Sequence, residues 1–234
     1  MRIAVSSSTF RRPLEAGELT QLEWLERCAS VLGVDGVVAD VDDFPRRDAD
    51  YVAQLRKIAI DLGLVPFGLD DAGLLDPAAS AEAREGVLAL AGAFGAALIR
   101  TVLPAPGEVP PAAFVEAVSA ARTVGRAAKA ANVTVVVAVR PGTLGADLAS
   151  LKHLLKDVDS AWLRAAPTAL LPDAEVGPKD RYPAFVAGAA DDPAAVAARA
   201  VRSWVILDAP LSARPWEPLA AAVAALRAAE ARLR

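Results

Sequence analysis

The charged residues that could do chemistry recur at intervals, each inside or at the end of a short apolar run. Asp40, Asp42 and Asp43 close one run, and Asp70 and Asp71 follow the next. Arg100 lies within a third, Arg140 ends a fourth, Arg164 sits in a fifth, and Asp208 closes the last. Paired carboxylates can pass a proton to and from a carbon next to a carbonyl. A guanidinium can grip a carboxylate or phosphate through parallel N–H bonds, or hold the charge of an enediolate. Asp70 and Asp208 are therefore the candidates for proton transfer. Arg100, Arg140, Arg164, Asp40 and Asp43 are the candidates for holding a small anionic ligand. The same residues admit a second reading, internal pairing of the arginines with Asp40, Asp70 and Asp208. An unpaired guanidinium inside a protein costs on the order of several kcal/mol, so partners must come from one source or the other. Neither reading needs a cofactor.

Other reactive side chains are few. The one histidine, His153, stands between Lys152 and Lys156, off the apolar stripe of Leu148, Leu151 and Leu155, so it reads as a surface residue. Ser6, Ser7 and Ser8 follow the first apolar run, but with no histidine near them a Ser-His nucleophile is excluded. Lys179 reads as a solvated loop lysine, with a base or Schiff-base amine as the sharper alternative. Cys28 falls on an apolar helical stripe and reads as a small core residue. Arg11-Arg12 belong either to an anion site or to solvent. The four tryptophans are scattered over different elements and make no single sugar-stacking platform.

These residues need elements to hold them, and the chain of 234 residues alternates strand and helix patterns throughout. Strand patterns cover Ile3 to Ser7, Val37 to Val41, Leu64 to Leu69, Ala97 to Leu103, Val133 to Val139, Ala161 to Ala165, Ala184 to Ala187 and Val205 to Leu207. The fifth, Val-Thr-Val-Val-Val-Ala-Val, is the unbroken β-branched run of a parallel strand covered on both faces. Pro66 is awkward in a central strand. Helix one opens with the capping box Thr20-Gln-Leu-Glu23, buries Leu22, Leu25, Cys28 or Ala29, and Leu32, and ends at Gly33. Further helices run from Asp50 to Leu62, from Asp76-Pro77 to Gly95, from Pro111 to Ala131, from Asp147 to Val158, from Asp192-Pro193, and from Pro218 to Leu233. The last buries Leu219, Val223, Leu226 and Leu233. Residues 170–181 hold at most a helical turn where a sixth helix belongs. The alternation implies parallel βαβ units, and about eight repeats with no glycine-rich turn after strand one favour a closed α/β (β/α)₈ TIM barrel, one domain over 1–234. A short or absent sixth helix would expose apolar surface that a second copy or a partner subunit could cover.

Composition narrows the classes. Hydrophobic residues make up 54% and aromatics only 5%, so Ala, Val and Leu carry the packing. The net charge of −4, with no basic stripe, argues against nucleic acid. Apolar stretches break before about 18 residues, so no membrane span is expected. Met1-Arg2-Ile3 runs straight into a strand pattern without a leader, and a lone cysteine fits a reducing compartment, so a cytoplasmic location is expected.

Several stretches resemble the xylose-isomerase-like barrels, the family of sugar and sugar-phosphate isomerases and epimerases. They are Ser6-Ser-Ser-Thr-Phe10-Arg-Arg12 with Gly17-Glu-Leu-Thr20, Cys28-Ala-Ser-Val-Leu-Gly-Val-Asp-Gly-Val37, Asp43-Phe-Pro45, Asp61-Leu-Gly-Leu64 and Arg140-Pro-Gly142. The likeness covers most of the chain and is looser in its second half. It implies a site at the C-terminal ends of the strands, acting on a small sugar, sugar acid or sugar phosphate. It also implies a divalent cation held by Glu, Asp, His and Glu from strands five to eight. At those places this sequence has Ala138, Ala166-Pro167 and Val186-Ala-Gly-Ala-Ala190, and only Asp208 keeps a carboxylate. No metal of the family type is therefore expected. Two functions follow: metal-independent proton transfer on, or binding of, a small anionic sugar, or a non-catalytic barrel serving as a ligand-binding or partner subunit.

Overall fold

The computed structural model describes residues 1–105, 110–170, 182–208 and 215–233. Eight strands form one parallel sheet: β1 (Arg2–Ser6), β2 (Gly36–Asp40), β3 (Val65–Asp70), β4 (Leu98–Thr101), β5 (Thr134–Ala138), β6 (Leu163–Ala166), β7 (Ala184–Gly188) and β8 (Trp204–Asp208). They are ordered β6-β5-β4-β3-β2-β1-β8-β7. The two ends of that order meet through a single parallel bridge, Thr168 to Val186, with Val186 N donating to Pro167 O at 3.0 Å and Ala169 N to Val186 O at 2.8 Å. The sheet thereby closes into the expected barrel, with its weakest seam between β6 and β7.

Side-chain alternation divides the core into two layers. Ile3, Val5, Val37, Leu69, Ile99, Val135, Val137, Phe185, Val205 and Leu207 point outward and pack under the helices. Ala4, Val38, Phe67, Leu98, Val136, Ala166, Ala184 and Ile206 fill the lumen. Pro66 is accommodated by a bulge: Val37 pairs with Pro66 and Val38 with Gly68, so Phe67 is the extra residue and turns into the lumen. There it stacks on Trp204, with ring centroids 4.1 Å apart, and the Arg2 guanidinium lies over the Trp204 ring, 5.5 Å from its centroid. This stack plugs the N-terminal end of the barrel, leaving the strand C-termini as the end where an open site can form.

The helices are α1 (Arg11–Glu15), α2 (Gln21–Arg27, continued by a π-helical turn over Cys28–Leu32), α3 (Ala49–Asp61), α4 (Ala81–Phe94), α5 (Pro110–Ala131), α6 (Leu148–Val158), α7 (Pro193–Arg199) and α8 (Trp216–Arg232). Both halves of the Thr20–Glu23 capping box form, and left-handed Gly33 and Gly95 end their helices as expected. Asp48, Asp147 and Asp192 also cap through their carboxylates.

Three sequence expectations need correction. Helix α4 starts at Ala81 behind the Ser80 cap, because Asp76 instead accepts from Ala78 N in a tight turn and Arg84 ties that turn down through Asp76 O. Leu22 is 37% exposed, and Trp24 takes the buried place on α2. Leu233 lies beyond the end of α8 and is 52% exposed. The expectation of a short or absent sixth helix, and of a partner covering it, falls on 170–181, of which 171–181 lie outside the described residues. Among the described residues no helix is long and apolar enough to cross a membrane.

Two glycines test this packing. A Cβ on Gly36 would stand 2.7 Å from the Val65 carbonyl oxygen and 3.0 Å from the Trp204 ring, with backbone on one side that cannot yield. Gly36→Ala is expected to cost about 1–3 kcal/mol by denaturant unfolding. Gly86→Ala, on the exposed face of α4 with open space around it, is expected to stabilise by about 0.5–1 kcal/mol.

Candidate functional site at the barrel mouth

Strand register lines up the charges on the inner face. Asp40 pairs with Asp70 across β2 and β3, and Asp70 with Arg100 across β3 and β4. Arg100 is buried, and it reaches β8 on the opposite wall. Its Nε donates to Asp70 Oδ1 at 2.6 Å and its Nη2 to Asp70 Oδ2 at 2.6 Å. Its Nη1 donates to Asp208 Oδ2 at 2.6 Å and its Nη2 also to Asp208 Oδ1 at 3.0 Å. One guanidinium thus holds two carboxylates bidentately and spans the barrel. Burial alone would disfavour the charge on Arg100, but Asp70 and Asp208 outweigh it, and its pKa is raised. Asp208 closes β8, is 37% exposed through the open mouth and otherwise lies within protein. That enclosure raises its carboxyl pKa despite the opposing pull of Arg100.

A hydroxyl run on β1 completes the network. Ser6 Oγ donates to Asp70 Oδ2 at 2.5 Å, so its one proton is used and Ser8 Oγ, 2.8 Å away, must be the donor to Ser6. Ser7 Oγ accepts from Asp40 N at 2.7 Å and donates to Asp43 Oδ2 at 2.5 Å. Asp40 accepts from Arg11 Nη2 and from Asp42 N, the latter at 3.0 Å. Burial pushes the Asp40 carboxyl up to about 6, opposed by the bond from Asp42 N and by Arg11, and helped by the nearby charges of Asp43 and Asp70. Burial likewise raises Asp43 and Asp71.

These groups surround a cavity of about 420 Å³ at the C-terminal mouth, within the usual range for small-molecule sites. Ser8, Arg11, Asp40, Asp70, Asp71, Arg100, Arg140 and Asp208 all line it. Of the residues named from sequence, the structure brings together Asp40, Asp70, Arg100, Arg140 and Asp208. Arg140 is exposed at the rim, and among the described residues its side chain has no ion pair. Asp43 stands behind the wall, bonded to Ser7 and 3.6 Å from Arg11 Nε, and does not line the cavity. Arg164 is a correction. It shares the inner parity of Ala166 but lies so far toward the strand's start that it is exposed at the opposite end, bonded to Ala161 O at 3.1 Å. His153 is exposed on α6, 3.8 Å from Asp157. Lys179 lies outside the described residues.

Sequence reasoning left Arg11 undecided and gave Ser6 and Ser7 no role. The available signal was position: three hydroxyls directly after β1 stand beside the acidic end of β2.

Among the described residues, the inner ends of β5 to β8 offer no free set of donors for a divalent cation. Ala138 and Ala166 end β5 and β6 on the inner face, Val186 is the side chain that β7 gives the cavity, and both Asp208 oxygens are bonded by Arg100. Among the described residues no three His, Cys, Asp or Glu side chains gather as a metal-binding group.

Removing Arg100 should strand two carboxylates. Arg100→Met is expected to lower stability by about 3–5 kcal/mol, and adding Asp70→Asn should restore part of the loss, in a double-mutant cycle by denaturant unfolding. The raised Asp40 pKa gives a second prediction. Its folded value near 6 exceeds the ordinary 3.8, so the folded state holds that proton more tightly. Stability from this group is full below about pH 4 and is lost as pH rises to about 6, on the order of 2–3 kcal/mol. Asp40→Asn should therefore gain stability relative to the parent between pH 4 and pH 7; a constant difference would contradict the assignment.

No protein-family model matches the chain, and no curated protein matches it in sequence. Solved structures do match in shape. The probable 3-DHS dehydratase AsbF of Bacillus anthracis superposes with TM-score 0.75 at 15% identity, covering 97% of this chain and 99% of that one. The D-psicose 3-epimerase of Clostridium cellulolyticum H10, solved with D-tagatose, gives TM-score 0.74 at 14% identity over the full length of both chains (100% and 100%). A fusion of a xylose isomerase-like TIM barrel with a 4-hydroxyphenylpyruvate dioxygenase gives 0.73 at 14% identity, covering 100% of this chain and 44% of the fusion. The chain has the fold of the xylose isomerase-like TIM barrels.

Proposed function

We propose that the barrel mouth binds a small sugar or sugar acid and that it does so without a metal ion. The observation that carries this reading is the open cavity around Arg100, whose guanidinium is held by two carboxylates, with carboxylates, serines and the rim arginine facing it. Carboxylates and serines are the acceptors and donors that sugar hydroxyls need, and Arg140 is placed to meet an acidic substituent. The presence of D-tagatose in the epimerase of the same fold supports a sugar-sized ligand. Asp208 and Asp40 are carboxyls that face the cavity with raised pKa values, and the Asp40 value of about 6 suits proton exchange near neutral pH. Asp70 suits it less: Arg100 bonds both of its oxygens and Ser6 bonds one of them again.

A second reading, binding without catalysis, is favoured by Arg100 itself. Its Nε, Nη1 and Nη2 all donate to carboxylates, so it has little left to offer a developing negative charge.

Isothermal titration against ketohexoses, sugar acids and sugar phosphates, in buffer containing EDTA, tests the binding. A sugar or sugar acid is expected to bind, and Arg140→Ala to weaken an acidic ligand about tenfold, as loss of one charged hydrogen bond would. No binding across the panel would sink the proposal. Incubation of the bound ligand in D₂O then separates the two readings: deuterium entering next to the carbonyl means proton transfer, and its absence means binding alone.

A further inference from the structure

Arg11 combines an ion pair with a buried guanidinium nitrogen that makes no hydrogen bond. Its side chain is 34% exposed and lines the cavity that Arg140 lines from the end of β5. Its Nη2 is held by Asp40, but its Nε is buried with no hydrogen-bond partner among the described residues. The Asp43 oxygen at 3.6 Å is too far for that bond. While it is ionised, Asp40 holds Arg11 Nη2 and so competes with an incoming anion for the guanidinium. The charged groups around Asp40 are Arg11 from α1, Asp42 and Asp43 from the turn after β2, and Asp70 from β3, which Arg100 largely neutralises.

We propose that the mouth takes up its ligand's anionic group together with one proton: the anion binds between Arg11 and Arg140, and Asp40, released from Arg11, carries the proton. This rests on the reading of the mouth as a site for a small sugar acid, and specifies its charge. The balance is simple. One proton from solvent forms an O–H bond on Asp40, the Arg11–Asp40 ion pair is exchanged for an Arg11–ligand pair, and the net charge of the site is conserved for a monoanion. The free protein is already poised for this, since burial and the neighbouring carboxylates hold the Asp40 proton into the range of pH 6. Binding an anion to Arg11 removes the attraction that opposes protonation, so the bound state holds the proton still more tightly. By linkage, affinity must fall as pH rises above the free Asp40 value, by up to tenfold per pH unit.

The test is isothermal titration of the intact protein with D-gluconate from pH 5.5 to 8, in two buffers of different ionisation heat. Gluconate is the clean probe, because its carboxyl titrates near or below about 4, whereas a phosphate ester loses its own second proton near 6 and confounds the profile. D-Glucose 6-phosphate is the comparison arm and decides between carboxylate and phosphate as the favoured group. Expected results are a roughly tenfold weakening per unit above pH 6, uptake of close to one proton at pH 7.5, and loss of both in Asp40→Asn. Arg11→Met should weaken binding at pH 5.5 at least tenfold. A pH-independent affinity with no proton uptake would overturn the coupling and leave the sugar-acid site standing. Failure of both probes to bind at every pH would overturn both. A measurement free of ligand and variant backs this up: the Asp40 carboxyl ¹³C shift in the parent protein should titrate near pH 6, and a midpoint below 4 would end the proposal.

Discussion

A guanidinium inside a narrow β-barrel must find carboxylates within its reach, and where it finds them determines what else the barrel can hold. Arg100 finds Asp70 on the neighbouring strand and Asp208 on the opposite wall, so one side chain ties β3, β4 and β8 together across the lumen. The apolar layer beneath it, from Ala4 to Ile206, is too tightly filled to let the head group sink, and the Phe67–Trp204 stack closes the far end. The charge is therefore fixed at one height, at the floor of the mouth. Everything above that floor is arranged around it: Ser6 completes Asp70, Ser8 completes Ser6, and Asp40 is left with Arg11. Such a pair adds little net stability compared with an apolar replacement, but it is costly to break from one side, which makes it a device of position.

The barrel was legible in the sequence because its signals are local. The capping box at Thr20–Glu23, the glycines at the ends of α2 and α4, and the β-branched fifth strand each act within a few residues. The inner position of Asp208 and the alternation that places Ala138 and Ala166 inside follow from the same short-range logic. The site was legible only in part, because alternation gives a side chain's face and not its height along the barrel. Arg164 and Arg100 share inner parity, yet the tilt of the strands puts one at each end. Arg11 stayed open between an anion site and solvent for a related reason: it lies on a short helix after β1, and its pairing with Asp40 at the end of β2 is a contact between segments far apart in sequence. Asp76 shows the reverse error, where a good helix-starting pair is outcompeted by a turn that Arg84 secures.

The relation to sugar epimerases and dehydratases of the same fold is one of scaffold. At 14–15% identity the shared feature is the barrel, and the chemistry has to be read from this chain's own mouth. There, alanines stand at the inner ends of β5 and β6, and an arginine occupies the carboxylate of β8. The polar groups of this mouth are carboxylates and serine hydroxyls, and its positive charge comes from guanidinium groups.

Arg100 is held as a strut beneath the mouth, and the proposed ligand has to bind above it without moving it. A crystal structure of the protein grown near pH 5.5 and soaked with D-gluconate tests it most directly. The sugar acid is expected above Arg100, its carboxylate between Arg11 and Arg140, with Arg100 still bonded to both Asp70 and Asp208. A structure in which Arg100 has left either aspartate for the ligand, or in which a divalent ion sits on Asp208, would contradict it.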